Sequence, residues 1–218
     1  MRGLQLDPAS IAAWSAAAGV NLRAPSLLES IICGVIGGTI MSVAGFAPWA
    51  LSGLWLHETI GEAGLYAVCA LVFIGLSGPL LHRLVIGLAS MWRWYQLFGA
   101  AFGSYAVAWT VGWMTLGGHK GSLIGLLVGA ALMAWILTSA FGARAAIGRV
   151  FVVLFVSNAI GYFAGGWVES ALSSTQTHPT VDKLMWGVCY GIGLGAGLGC
   201  AFYFCQHDVR RLLARRHD

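Results

Sequence analysis

Two polar side chains in one apolar stretch are the first candidates for ligand binding inside a membrane. Asn158 and Tyr162 are four residues apart, so a helix places them on the same face. An amide and a phenol form hydrogen bonds without carrying charge, which suits a small neutral or weakly polar solute. Gln96, Tyr105, Tyr190 and Tyr203 extend this set of ligand-binding or pore-lining candidates with less weight. The alternative is structural, because a buried Asn can bond a neighbouring helix instead, worth about 0.6 kcal/mol on average.

Charged residues at membrane depth mark most ion-coupled transporters, and this sequence has almost none. The ionisable residues nearest to a midspan position are Glu29, His82, Arg83 and Glu169. Each falls near the end of an apolar stretch, where its polar group can reach the membrane interface. The sequence therefore argues against ion-coupled transport through a buried carboxylate.

One short motif invites a catalytic hypothesis. Gly75-Leu76-Ser77-Gly78 resembles the nucleophile motif of the rhomboid intramembrane serine proteases. The resemblance implies a serine nucleophile, which needs a histidine base within about 3 Å. That family places the histidine on a later span, whereas here none lies in any later apolar stretch. His82 follows Ser77 by five residues, at the wrong phase on one helix. We therefore predict no catalytic residues.

The histidines and cysteines give no cofactor pattern. Haem held between helices needs facing intramembrane histidines, but all six lie at span ends, in loops or in tails: His57, His82, His119, His178, His207 and His217. His57, His119 and His178 are predicted on one membrane side, so the alternatives there are a surface metal or haem site and solvated loop side chains. The five cysteines contain no CxxC pair. We predict no cofactor, no metal site and no disulfide framework.

The composition is that of an integral membrane protein. Of 218 residues, 58% are hydrophobic and 9% are charged, and the mean hydropathy is +0.79. Soluble domains carry about 25% charged residues. The net charge of +4 is divided among loops and a tail, so it indicates a lipid bilayer and no nucleic acid as partner.

Glycines repeat every four residues and predict how the helices pack. Such rows expose bare backbone, and in lipid they allow close approach of another helix. The predicted packing glycines are Gly187, Gly191, Gly195 and Gly199 in one stretch, Gly121, Gly125 and Gly129 in a second, and Gly34 and Gly38 in a third.

Stretches of about 20 apolar residues can cross a bilayer, and the sequence contains six. We predict spans at 27–47, 64–84, 95–116, 121–141, 150–168 and 184–204. The predicted fold is an all-α bundle of six transmembrane helices packed through glycine ridges. Pro48 should kink or end the first span, and 49–57 should lie flat on the surface or re-enter.

Three regions follow from this pattern. Residues 1–26 form an N-terminal segment with a short interfacial helix that begins at Pro8 and is capped by Asp7. Residues 27–205 form a single membrane domain, and 206–218 form a basic tail. Ten Lys and Arg residues lie on the side of the termini, and only Lys120 and Lys183 lie on the other. This asymmetry predicts a multi-pass protein of the plasma (inner) membrane with both termini cytoplasmic.

An internal repeat is one interpretation of the glycine pattern. Gly99 and Gly103 match Gly191 and Gly195 at one offset, and Gly34 matches Gly125 at nearly the same offset. Three spans per half would make a 3+3 inverted repeat, which is common in transporters. The other interpretation is coincidence among 31 glycines.

Two functional classes follow. The first is a transporter or channel for a small neutral or apolar solute, which the polar pair and the repeat favour. The second is an accessory or assembly subunit of a larger membrane complex, because small-residue faces exceed what one bundle needs. That surplus predicts a homo-oligomer or contacts with other membrane subunits. A membrane-embedded enzyme is a third and weaker hypothesis.

Overall fold

The structure is a computed structural model that describes residues 4, 6–19, 22–87, 90–174 and 179–215. These residues contain helices and no strand. The helices are α1 (Pro8–Ala18), α2 (Leu27–Leu81), α3 (Met91–Leu116), α4 (Gly118–Ala140), α5 (Ile147–Ser173), α6 (Pro179–Cys205) and α7 (His207–Ala214).

Four helical segments in this part of the chain are long and apolar enough to cross a membrane. They are Leu27–Leu84, Gly118–Ala140, Arg144–Ser173 and Pro179–Cys205. The chain is therefore an all-helical membrane protein. α3 has 26 residues but is less apolar, because tryptophan, tyrosine and polar residues cluster at its start.

α2 spans 55 residues but is kinked and folds back on itself. Two residues inside it have non-helical backbone angles, Ser52 (φ −133°) and Gly61 (φ 73°). A φ of 73° lies in the left-handed region, which glycine adopts without strain. A Cβ added to Gly37 would lie 2.9 Å from the carbonyl oxygen of Leu80, so the two legs of α2, residues 27–51 and 62–81, pack side by side.

The break in α2 differs in position from the one predicted at Pro48. Pro48 lies within the helix, and the first non-helical residue is Ser52, four residues later. Proline removes one backbone donor and weakens one turn, but here the chain leaves the helical path only beyond that turn. Residues 52–60 then connect the legs, and Leu54 is 76% exposed there.

α6 lies between the first leg of α2 and α5, and glycines on both sides bring the backbones into contact. A Cβ added to Gly38 would lie 2.6 Å from the Cα of Gly195, and one added to Gly161 would lie 3.0 Å from the Cα of Gly193. No side chain fits at either contact without a shift of a backbone. We call these two contacts the glycine seams of α6.

The other glycines of the predicted packing set also meet neighbouring helices. Gly191 and Gly199 face the first leg of α2, and Gly187 meets the side chain of Phe46 on that leg. α3 and α4 also pack with their backbones close together, since a Cβ added to Gly125 would lie 2.7 Å from the Cα of Trp109. Gly121 and Gly129 lie on the same face of α4 and also contact α3.

α1 and α7 pack together at one end of the bundle, and Gln206 links the loop after α2 to this end. Its side-chain oxygen accepts a hydrogen bond from the backbone N–H of Ile86 (2.6 Å), and its amide nitrogen donates to the carbonyl oxygen of Leu84 (2.8 Å). Ile86 packs with Ile11 of α1 and with Val209 of α7. The loop after α2 is thereby joined to α1 and α7.

Polar groups fix the two short helices at this end. Asp7 caps α1 by accepting a hydrogen bond from the backbone N–H of Ser10, and hydrogen bonding by Ser10 lowers the pKa of the Asp7 carboxyl. On α7, the Arg210 guanidinium lies 3.5 Å from the ring centroid of Tyr203. Burial lowers the pKa of Arg210, because desolvation disfavours its charged form.

Candidate ligand cavity

A cavity of about 270 Å³ lies between the helices, toward the end of the bundle opposite α1 and α7. It is bounded by both legs of α2 and by α3, α5 and α6. Eleven of its fifteen lining residues are aromatic: Phe46, Trp49, Tyr66, Phe73, Phe102, Tyr105, Trp109, Trp113, Tyr162, Trp186 and Tyr190. The other four are Cys69, Ala70, Ala106 and Thr110, so no charged side chain lines the cavity.

Ring contacts hold the cavity wall in shape. Phe73 and Phe102 stack with centroids 5.0 Å apart and join the second leg of α2 to α3. Tyr162 and Trp186 meet edge to face at 5.3 Å and join α5 to α6. Such pairs contribute about 0.5–1.5 kcal/mol beyond their area burial. The wall is therefore assembled from rings that support one another across helices.

The most enclosed polar groups of the cavity are two tyrosine hydroxyls. The hydroxyl of Tyr190 donates a hydrogen bond to the hydroxyl oxygen of Tyr105 at 3.0 Å. Tyr105 is 3% exposed and Tyr190 is 6% exposed. The indole nitrogen of Trp186 is also buried, with no hydrogen-bond partner among the described residues.

Two charged residues flank the other part of the wall. One carboxylate oxygen of Glu62 accepts hydrogen bonds from the hydroxyl of Tyr66 (2.8 Å) and from the indole N–H of Trp113 (3.1 Å). The ammonium of Lys183 lies 4.8 Å from the ring centroid of Trp49, a cation–π arrangement. These charges hold lining side chains in place without lining the cavity themselves.

The structure places the four predicted ligand-binding residues in different surroundings. Tyr162 and Tyr190 line the cavity, and the hydroxyl of Tyr162 lies 3.0 Å from the hydroxyl of Ser122 on α4. Asn158 is fully buried, outside the cavity lining, and both polar atoms of its amide lack a partner among the described residues. Gln96 is exposed on α3 and does not line the cavity.

Sequence reasoning missed most of the aromatic wall. Tyr105, a lesser candidate, lines the cavity from α3 together with Trp109 and Trp113, which were not predicted. They recur every four residues, and that spacing was a signal, since such residues share one helix face. On α6, Trp186 lies four residues before the predicted Tyr190 and shares its helix face, which was a similar signal. Tyr66 and Phe73 are seven residues apart on the second leg of α2.

Ser77, the serine of the rhomboid-like motif, has a structural role. Its hydroxyl donates to the carbonyl oxygen of Ile74 (2.6 Å) and accepts from the indole N–H of Trp94 (2.9 Å). The imidazole nitrogen Nδ1 of His82 instead lies 2.7 Å from the carbonyl oxygen of Gly78. Ser77 and His82 therefore do not form a nucleophile–base pair.

No group of three or more His, Cys, Asp or Glu side chains that could hold a metal occurs among the described residues. His178, one of the three histidines considered for a surface site, lies outside them. The cavity is thus the feature of the described structure best suited to hold a ligand. No protein-family model, no curated protein and no solved structure matches this chain, so a function has to be argued from the cavity itself.

Proposed function

We propose that this chain is a six-span membrane transporter or channel that binds a small uncharged solute in the aromatic cavity. The observation that carries the proposal is a void of about 270 Å³ walled by eleven aromatic rings and no charge. An apolar cavity of about 150 Å³ holds benzene, so this one has room for a larger ring system. An ion would lose its hydration there without a charged partner in the lining, which costs several kcal/mol.

The six-span arrangement counts the two legs of α2 separately, together with α3, α4, α5 and α6. An even number of spans agrees with the packing of α1 against α7 at one end of the bundle. By sequence, ten of the 12 Lys and Arg residues belong to the segments predicted on that side. The positive-inside rule then favours a plasma (inner) membrane location with both termini cytoplasmic.

The inverted repeat gains support from the way the helices pair. The sequence matches relate α3 to α6, and α4 to the first leg of α2. α3 packs closely on α4, and α6 packs closely on that leg. The registers differ, because Gly125 lies against Trp109, whereas its counterpart Gly34 lies against Gly195. The proposal is therefore a diverged 3+3 repeat, with the cavity between its halves.

Blocking the cavity tests the proposal. We expect Ala106→Phe, which places a ring at the cavity wall, to abolish solute passage through the protein. Val107→Phe is the matched control, since Val107 is the next residue of α3 and is 64% exposed on the lipid-facing surface. The measurement is stopped-flow light scattering of proteoliposomes after an inward gradient of benzamide, a neutral ring compound, with protein-free vesicles as the baseline.

Wild type and Val107→Phe should swell faster than protein-free vesicles, and Ala106→Phe should match the protein-free baseline. Equal rates for wild type and Ala106→Phe would show that solute does not pass through this cavity. A wild-type rate at the protein-free baseline would remove the transport proposal for this class of solute.

An accessory or oligomeric role has one specific observation in its favour. A Cβ added to Gly103 or Gly75 would meet nothing within 4 Å among the described residues, and one added to Gly99 would meet only Ile74, at 3.9 Å. A helix of another copy or subunit could lie on this uncovered small-residue face. The test is the mass of the protein in mild detergent: an oligomer that Gly103→Leu dissociates supports the role, and a wild-type monomer removes it.

A further inference from the structure

We infer that the solute is a flat, uncharged molecule that carries a hydrogen-bond acceptor, such as a carbonyl or ether oxygen. This inference rests on the proposed function and names the chemical class of its ligand. It follows from which polar groups at the cavity wall already have a hydrogen-bond partner and which do not.

Several polar groups of the lining already have partners. The hydroxyl of Tyr66 and the indole N–H of Trp113 both donate to Glu62. The hydroxyl of Tyr162 is paired with Ser122. A ligand gains little from these groups, because a new hydrogen bond would have to replace an existing one.

The tyrosine pair is different because its hydrogen bond runs in one direction. Tyr190 donates to Tyr105, so the proton of Tyr190 is used and the proton of Tyr105 is not. Each phenol has one proton to give, and no described residue accepts the proton of Tyr105 at hydrogen-bonding distance. Tyr105 is 3% exposed, so this donor is sheltered from water.

The indole nitrogens of the wall do not add a second open donor. Those of Trp109 and Trp186 lack a partner among the described residues, but neither has exposed surface, and that of Trp186 lies beside Gly165 of α5. No carboxylate or amide side chain lines the cavity, so its side-chain acceptors are hydroxyl oxygens. The wall therefore has a spare donor at Tyr105 and few acceptors, and the complementary ligand supplies an acceptor.

Three bicyclic probes of similar size test this inference. Indane has no polar atom, 1-indanone adds a carbonyl oxygen, and indole has an N–H donor. We expect purified wild-type protein to bind 1-indanone about tenfold more tightly than indane, which corresponds to about 1.4 kcal/mol. We expect indole to bind no more tightly than indane. Equilibrium dialysis with each labelled probe gives the three dissociation constants.

Two matched variants locate the donor. Tyr105→Phe and Tyr190→Phe each delete one hydroxyl from the same pair. Tyr190→Phe should keep the preference for 1-indanone because it retains the free proton of Tyr105. The double variant Tyr105→Phe/Tyr190→Phe should bind 1-indanone and indane about equally, because Tyr105→Phe alone would free the proton that Tyr190 donates in the wild type. Indane binding is the internal check that each variant still folds with its cavity.

The outcomes separate the two claims. Equal wild-type affinity for all three probes would overturn the acceptor inference and leave a solute-binding cavity in place. Absence of binding for every probe would overturn the proposed function itself. A preference that is lost in Tyr190→Phe, or one that survives in the double variant, would overturn the assignment of the donor to Tyr105.

Discussion

The two ends of α6 show opposite ways of packing a membrane helix. Along most of its length, glycines bring its backbone against the first leg of α2 and against α5, as at Gly38 and Gly161. Near its start, Trp186 and Tyr190 meet rings from other helices and border a void of about 270 Å³. Where glycines face each other, the helix backbones touch and leave no gap. Where rigid aromatic rings face each other, they hold the helices apart and leave part of the space between the helices unfilled. One helix thereby provides both a rigid seam and a binding cavity.

The strongest test of this comparison adds one methyl group to a seam. We expect Gly195→Ala to lower the free energy of unfolding by about 1–3 kcal/mol, because overpacked contacts cost that much. The new Cβ would lie 2.7 Å from the carbonyl carbon of Gly34 and 2.9 Å from the Cα of Val35. Each kcal/mol lost lowers the unfolding midpoint of a chain of this size by about 2–4 °C. The midpoint of thermal unfolding in detergent should therefore fall measurably.

Gly103→Ala is the matched control for this substitution. Gly103 has nothing within 4 Å of an added Cβ among the described residues, and alanine favours helix over glycine by about 1 kcal/mol. The midpoint of this variant should stay unchanged or rise. Equal midpoints for Gly195→Ala and wild type would show that the seam is looser than described.

A second test, of intermediate size, weakens the support of the cavity wall. Glu62→Leu removes the acceptor shared by Tyr66 and Trp113, and we expect a loss of about 1–2 kcal/mol. The control is Glu58→Leu, since Glu58 lies four residues earlier and is exposed. This substitution should change the stability little. The measurement is again the unfolding midpoint, with benzamide flux as a second readout. A wild-type midpoint for Glu62→Leu would mean that these hydrogen bonds do not hold the wall.

The smallest expected effect comes from adding volume on the cavity side. Ala70→Leu places three more carbons at the lining and should raise stability by no more than about 1 kcal/mol, since buried area gained is offset by lost side-chain freedom. The same substitution at Ala201, which is fully buried on α6, should lower stability. If both variants lose stability equally, the cavity has no room for the added side chain.

Much of the helical pattern could be predicted from the sequence. The predicted span at 121–141 corresponds to α4, and the one at 184–204 lies inside α6. Composition and apolar run length decide these elements, because a chain in lipid must satisfy its backbone hydrogen bonds within each helix. The cap at Asp7 could be predicted equally well, because capping depends only on Asp7, Pro8 and their neighbours in sequence.

The site was less predictable because it depends on contacts between helices. Polarity singled out Asn158, yet this residue is buried outside the cavity. Size and shape were the better guide, since Trp109 and Trp186 come together from α3 and α6 only after folding. The break at Ser52 was also missed, because the effect of Pro48 on a helix depends on what packs beyond it.

The partnership between the first leg of α2 and α6 has a consequence for biosynthesis. Gly34 and Gly195 meet in the finished molecule, yet a ribosome makes them far apart in time, since about 160 residues at about 5–20 residues per second take on the order of ten seconds or more. During that interval the first leg of α2 lies in the bilayer with its backbone groove covered only by acyl chains. Gln206, which joins the α2–α3 loop to the α6–α7 junction, is synthesised later still. The close packing of these two helices therefore forms only after α6 has been made, and a nascent chain that stalls before α6 has no partner for the first leg of α2.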